Sequence, residues 1–278
     1  MTMESHLAGA GEVGVLVLAG SSGRIDSARC DLLAAHGLTA LSIRWFGGAG
    51  QSPGIREIPL ETFVAGLDML AEAGARRLTV LGLSKGAEAA LSLACVEPRV
   101  EAVVALSPSS VVWAGFGAPG RSSWTWRGRP LPFAPYPPDW PAGGPPTSFR
   151  AFYERGLALA PAESAIPLER SRADVVLVAG GDDQMWPSLT FAHALAARRD
   201  VRLISHPRAG HRPRLPGEPA PAPSSSYVYG GAPHADAELG EKAWPEILRA
   251  LRGRGTSRPD ISRAGIPRAD MKKGPREA

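Results

Sequence analysis

Two hydrophobic patterns alternate along the chain. The short, mainly apolar runs rich in β-branched residues, which are typical of buried strands, are residues 13–19, 38–44, 78–81, 100–106, 175–179 and 201–205. The segments with apolar residues at helical spacing are 27–35, 59–74, 85–96, 188–197 and 233–251. Strands that alternate with helices at this interval predict βαβ units, and therefore an α/β fold with a mostly parallel, doubly wound sheet.

The alternation breaks between about residues 111 and 165. This insertion contains Trp113, Trp124, Trp126 and Trp140 and many prolines, but only one helical pattern, at 148–159. An otherwise irregular segment of this length in a compact domain is typical of a lid or binding loop. We therefore expect residues 111–165 to cover the substrate, the alternative being a packed surface excursion without a role in the site.

Composition and charge restrict the class of protein. The chain has 278 residues, of which 44% are hydrophobic and 21% charged, which suits one globular domain over residues 1–252. Seven basic and three acidic residues in 253–278 account for the whole net charge of +4. We expect this Gly- and Pro-rich tail to be disordered, and a neutral body leaves no folded basic face for nucleic acid.

The sequence also bears on the compartment. No apolar run is long enough to span a membrane, and residues 1–6 do not resemble a signal peptide, so we expect a cytoplasmic protein. The two cysteines, Cys30 and Cys95, fall in predicted helices, and reduced thiols are expected in that compartment. The sequence leaves the oligomeric state open.

The central chemical feature is G-L-S-K-G at residues 82–86, which follows a predicted strand and opens a predicted helix. In this context a G-x-S-x-G motif indicates a sharp turn that exposes the serine hydroxyl at a helix N-terminus. The alternative is a tight turn with an incidental serine. We predict Ser84 to be a nucleophile.

A serine nucleophile needs a histidine base and an acid that orients it. Asp183 and His211 follow the two predicted strands that come after the insertion, in the chain order Ser, acid, His. Asp182 is the neighbouring alternative acid, and only one of the two carboxylates can face the histidine. His234 is the second choice of base. Of the remaining histidines, His6 is near a chain end, His36 and His193 are in predicted helices, and His206 is at a strand edge.

Further residues are predicted around this triad. The oxyanion hole requires two backbone N–H donors, for which we choose Lys85, after the nucleophile, and Ser21, in the turn after the first predicted strand. The lysine side chain is expected to be a solvated cation. Because large rigid side chains suit the concave site of an apolar ligand, the residues predicted to bind substrate are Trp113, Trp124, Trp126 and Trp186. No metal-ligand spacing or nucleotide-binding loop is present, so no cofactor is implied.

Several segments together resemble a known family, the C-terminal α/β-hydrolase domain of acyl-CoA thioesterases and bile acid-CoA:amino acid N-acyltransferases. They are G-L-S-K-G-A-E at 82–88, S-P-S-S at 107–110, L-P-F at 131–133, I-P-L-E at 166–169, G-D-D-Q-M-W-P-S at 181–188 and A-G-H at 209–211. The resemblance covers roughly residues 10–252. It implies an α/β-hydrolase fold, acyl transfer through an acyl-enzyme from a CoA thioester as the small-molecule acyl thioester substrate, and the triad Ser84, Asp183 and His211.

The chain also differs from that family. Family members carry an additional N-terminal β-sandwich domain, which we expect to be absent because the first predicted strand starts near Val13. The acyltransferase branch uses cysteine where this chain has Ser84, which favours hydrolysis over amide formation. The first interpretation is a serine thioesterase that cleaves acyl-CoA or a carrier-bound acyl thioester through an acyl-serine intermediate. The alternatives are an ester, lactone or dienelactone hydrolase, an N-acyltransferase, and a hydrolase-like binding module.

Overall fold

The computed structural model describes residues 3–139, 141 and 144–253, apart from the side chain of Pro119. The helices are α1 (Ser27–Ala35), α2 (Glu61–Glu72), α3 (Lys85–Ala94), α4 (Arg150–Ala158), α5 (Ser188–Ala196) and α6 (Pro233–Arg252). The strands are β1 (Ser5–Ala8), β2 (Val13–Leu18), β3 (Thr39–Ile43), β4 (Ile58–Pro59), β5 (Arg77–Leu83), β6 (Val100–Leu106), β7 (Ala114–Gly115), β8 (Ala118–Ser122), β9 (Trp124–Trp126), β10 (Arg129–Pro130), β11 (Asp174–Gly180) and β12 (Arg202–His206).

A central sheet organises the described residues. Its seven strands lie in the order β1-β3-β2-β5-β6-β11-β12, and all pairs are parallel except β1 with β3. Every residue of β2 and β3 is buried, because helices cover both faces of the sheet. The predicted doubly wound α/β sheet is therefore confirmed.

Alternate side chains of the strands supply two hydrophobic cores. Leu16 and Leu18 of β2 pack with α2, α3 and α5 on one face. Val15 and Val17 pack with α1 and α6 on the other. This alternation is the period-2 geometry of a strand, and it places the helices on the faces while the carboxyl ends of the parallel strands stay free for a site.

Most predicted elements are present with shifts of one or two residues, and two details were wrong. The first strand is β1, an antiparallel edge strand that pairs with β3, rather than the strand near Val13. Pro59 does not open α2, which begins at Glu61. Instead, Pro59 belongs to β4, because the insertion strand β9 pairs alongside it and the Leu60 N–H donates to Thr125.

The insertion is more regular than predicted. Besides α4 and a short 3-10 helix (Ala162–Ser164), it contains β7, β8, β9 and β10, and β9 joins β4 and β10 in a small sheet. A third hydrophobic cluster joins Trp113 and Tyr153 of the insertion to Phe191 of α5. Trp140 and the tail beyond Gly253 lie outside the described residues, so the expected disorder of the tail stays a prediction.

The two cysteines are free thiols. Cys30 is buried in α1, and Cys95 follows the last residue of α3. Burial is the main cause that raises the pKa of each thiol to about 12. In the described part of the chain, no helix has the length and hydrophobicity that crossing a bilayer would require.

Candidate active site

The turn between β5 and α3 has the geometry of a nucleophile elbow. Ser84 adopts φ 57° and ψ −121°, a strained conformation for a residue with a side chain. A β-carbon on Gly82 would lie 2.2 Å from the carbonyl oxygen of Gly86, and one on Gly86 would lie 2.3 Å from that of Leu18. Both glycines are therefore required by close backbone approach, as the motif predicts.

A buried carboxylate and a histidine come together beyond the ends of β11 and β12. Asp183 Oδ2 lies 2.8 Å from His211 Nδ1, and the two side chains are 0% and 5% exposed. The other carboxylate oxygen accepts the backbone N–H groups of Met185 (2.9 Å) and Trp186 (3.2 Å). These two bonds orient the carboxylate, and the carboxylate in turn orients the imidazole.

The alternative acid and base lie elsewhere. Asp182 is exposed, and its carboxylate accepts the Gln184 side-chain amide and the Gly231 backbone N–H. His234 is exposed in the first turn of α6. Of the acidic and basic candidates, the structure therefore brings together Asp183 and His211.

The turn after β2 lies against Ser84. A β-carbon placed on Gly20 would be 3.3 Å from Ser84 Cβ. Gly20 and Ser21 line the same cavity as Ser84 and His211. Lys85 begins α3, where backbone N–H groups have no partner within the helix. Of the two residues chosen for the oxyanion hole, Lys85 thus follows Ser84 along the chain, and Ser21 belongs to the turn that lies against it.

The side chain of Lys85 corrects one expectation, because it is not a solvated cation. It is 1% exposed, and its Nζ donates to both carboxylate oxygens of Glu88 at 2.8 Å and to Ser123 Oγ at 2.8 Å. Burial lowers the pKa of Lys85 and raises the pKa of Glu88, while their mutual attraction opposes both shifts.

Ser84 and His211 open into a cavity of about 470 Å³. Its aromatic walls come mainly from the insertion and from the loop before α6, while the segment after β2 contributes small, polar and charged groups, among them Arg24 and Asp26. The aromatic and sulfur-containing lining residues are Phe116, Tyr136, Phe149, Phe152, Tyr153, Met185, Tyr227 and Tyr229. The volume and apolar walls suit a small organic acyl group.

The four tryptophans predicted to bind substrate do not line this cavity. Trp113, Trp124 and Trp186 are at most 1% exposed in the hydrophobic cores, and Trp126 packs beneath the guanidinium of Arg127. A tryptophan in the sequence predicts a buried ring, but not whether substrate or protein covers that ring. Here the tryptophan rings pack against other protein side chains. Trp113 nevertheless supports the cavity wall from behind, since its ring lies 4.8 Å from that of Tyr153.

Sequence reasoning missed the loop that backs the histidine. The carbonyl of Tyr229 accepts the His211 N–H at 2.9 Å, and its ring stacks on the imidazole at 6.0 Å. The Arg212 guanidinium lies 3.8 Å from the centroid of the same Tyr229 ring. The carboxylate of Asp236 accepts the Gly210 N–H at 2.7 Å, and burial raises its pKa. The only sequence signal was a pair of tyrosines in a Pro/Ser-rich loop.

The described residues contain no cluster of three His, Cys, Asp or Glu side chains that could hold a metal ion.

The sheet, the elbow and the acid–histidine pair define an α/β-hydrolase fold, and solved structures support that class. A putative dienelactone hydrolase from Klebsiella pneumoniae matches 91% of this chain and 99% of its own, with TM-score 0.54 and 14% identity. Est1E from Butyrivibrio proteoclasticus, with ferulic acid bound, matches 89% and 96%, with TM-score 0.53 and 14% identity. At such identities these likenesses establish the fold alone.

Sequence comparisons confirm the family resemblance. Residues 150–254 match the family described as BAAT / Acyl-CoA thioester hydrolase C terminal. Mouse bile acid-CoA:amino acid N-acyltransferase is 26% identical over 86% of this chain and 59% of its own length. Human acyl-coenzyme A thioesterase 6 is 24% identical over 84% of this chain and 58% of its own. The chain thus spans somewhat under three-fifths of the length of these curated relatives.

Proposed function

We propose that this chain is a serine hydrolase that cleaves acyl thioesters through an acyl-serine intermediate. The observation that carries the proposal is the buried Asp183–His211 pair, whose histidine shares a cavity with the elbow serine. The similarity to enzymes named acyl-CoA thioesterases supports the thioester as the substrate bond. The matched family segment covers residues 150–254, which include the acid and the base.

The first half-reaction forms the acyl-enzyme. His211 Nε2 accepts the Ser84 proton as Oγ attacks the thioester carbonyl carbon, and Asp183 stabilises the resulting imidazolium through Nδ1. The negative charge on the tetrahedral oxygen is stabilised by the backbone N–H groups of Lys85 and Ser21. The carbon–sulfur bond then breaks, and His211 returns the proton to the departing thiolate.

The second half-reaction releases the acid. His211 takes a proton from water, the hydroxide attacks the acyl-serine carbonyl, and the proton returns to Ser84 Oγ as the ester bond breaks. An amino group could attack instead of water, which would make the chain an N-acyltransferase. The relatives named amino acid N-acyltransferases favour that as the second candidate.

A substrate panel separates these activities. Thiol release is measured with acyl-CoA thioesters of increasing chain length, and the same acyl groups are offered as oxygen esters. Each reaction is repeated with glycine as acceptor, and N-acylglycine is quantified by mass spectrometry. Preferential thioester hydrolysis, lost in Ser84→Ala, supports the proposal. Faster oxygen-ester cleavage or glycine conjugation as the main product would contradict it, as would full activity of the variant.

A further inference from the structure

The elbow helix contains a buried ion pair that the proposed reaction does not use. Lys85 and Glu88 are 1% and 0% exposed and lie one helical turn apart. Replacing a buried ion pair by apolar side chains is often neutral for stability, so such a pair is weak evidence for a purely stabilising role. Its other partners indicate what it does in this chain.

Among the described residues, the hydrogen-bond partners of these two side chains outside α3 all belong to the insertion. Glu88 Oε1 accepts the Trp113 backbone N–H at 3.0 Å and the Trp124 indole N–H at 2.8 Å. Lys85 Nζ donates to Ser123 Oγ, and that hydroxyl donates to the Ala114 carbonyl at 3.0 Å. The carboxylate thus accepts from residues on both sides of one short hairpin.

That hairpin forms part of the cavity wall. Trp113 immediately precedes the paired strands β7 and β8, and Ser123 follows them. Between the strands lie Phe116 and Gly117, which both line the cavity with Ser84. The ammonium of Lys85 lies 5.8 Å from the Phe116 ring centroid, within the range of a cation–π contact.

We propose that the Lys85–Glu88 pair positions the β7–β8 hairpin on the nucleophile helix, and thereby sets the distance between Phe116 and Ser84 that selects the acyl group. The proposal rests on the proposed function in taking Ser84 as the nucleophile. Lys85 then has two tasks. Its backbone N–H faces the developing oxyanion, and its side chain holds the wall on the acyl side of the site. Both Lys85 and Glu88 are positioning residues in this second task.

Two tryptophans provide a matched test. Trp124→Phe removes an indole N–H that donates to Glu88. Trp45→Phe removes an indole N–H that has no acceptor among the described residues. Both rings are fully buried, lie 5.5 Å apart and contact Phe63, so the two variants lose similar packing. Ser123→Ala, which removes the contact to Lys85 together with the bond to the Ala114 carbonyl, is the second test variant, and Trp124→Phe is the one that leaves the bonds within the hairpin intact.

Two readouts are combined. Amide hydrogen exchange of the hairpin is measured in each folded variant, together with kcat and KM for a short and a long acyl thioester. A hydrogen bond to a charged group is worth about 1.5–3 kcal/mol, so we expect hairpin exchange to be faster by about tenfold or more in Trp124→Phe and Ser123→Ala. We expect KM for the long acyl group to change by about fivefold or more, with kcat for the short one within about twofold. Trp45→Phe should show neither change.

Unchanged hairpin exchange in the two test variants, or equal acceleration in Trp45→Phe, would overturn the proposal whatever the activity. The proposal would also be overturned if the test variants changed kcat/KM by the same factor for the short and the long acyl thioester. The pair would then act on the fold and not on acyl selection. If the wild-type chain hydrolyses no thioester, the proposed function fails. Hairpin exchange that rises only in Trp124→Phe and Ser123→Ala would still support the positioning role. One proposal can therefore fail while the other stands.

Discussion

Replacing Asp183 by asparagine tests the triad most directly, because the variant keeps the shape of the side chain. Asp183 accepts from three groups: His211 on one oxygen, and the Met185 and Trp186 N–H groups on the other. Asparagine has one oxygen and one amide nitrogen. If its oxygen keeps the two backbone bonds, its NH₂ group must face Nδ1 of the histidine.

That arrangement preserves the fold and damages the chemistry. With an N–H donor opposite it, Nδ1 must be unprotonated, so the neutral imidazole carries its proton on Nε2 and cannot accept the proton of Ser84. The corresponding change in a serine protease lowers kcat about 10⁴-fold, equal to about 5.4 kcal/mol in the barrier. Because both backbone bonds survive, we expect the unfolding free energy to change by only about 1 kcal/mol.

The assay compares Asp183→Asn with Asp182→Asn, which alters the adjacent, exposed carboxylate. Initial rates of thiol release are measured at saturating substrate, and folding is checked by near-UV circular dichroism and thermal unfolding. We expect a loss of about 10⁴ for Asp183→Asn and less than about threefold for Asp182→Asn. Equal losses, or a larger loss for Asp182→Asn, would refute the assignment of the acid.

Four further predictions follow from the same structure. Ser84→Gly should be inactive, yet more stable than Ser84→Ala by about 1 kcal/mol in chemical denaturation, since glycine tolerates the positive φ. Equal stability of the two variants would contradict backbone strain at Ser84. Tyr227→Ala should change the ranking of acyl thioesters by kcat/KM, whereas Trp126→Ala should not, because only Tyr227 lines the cavity. Asp236→Asn should keep the bond to Gly210. Since the folded-state pKa of Asp236 is raised, the wild type should lose stability relative to this variant as the pH rises above 3.8; a pH-independent difference in urea midpoints would contradict that. Truncation after Gly253 should leave the Tm and kcat unchanged, and a lower Tm would show that the tail packs on the body.

The central sheet could be predicted from the sequence because its strands are buried on both faces. Val13–Leu18 and Val100–Leu106 are almost continuously apolar, and the elbow between β5 and α3 is marked by its glycines. The edge strand β1 gave no such signal. Its residues alternate between exposed and partly exposed, and it exists because its backbone pairs with β3.

Asp183 and His211 could be located because the fold places both after particular strands, whereas the walls of the cavity could not be predicted. Tyr227 and Tyr229 lie in a polar loop, and only tertiary contacts bring their rings to the site. The burial of Lys85 was also unpredictable, since lysine is rarely buried without a partner. Glu88, three residues later, is that partner, but the enclosing groups come from the insertion.

The two cysteines have a chemical consequence. Cys30 packs in the core on one face of the sheet, and Cys95 packs against the core on the other, so the sheet separates the two sulfurs. Because burial raises both pKa values to about 12, either thiol is far less ionised at pH 8 than an unperturbed thiol. Alkylating agents and peroxides react with the thiolate. The chain should therefore keep its activity in iodoacetamide and without reductant, whereas we expect a serine-directed fluorophosphonate to abolish it.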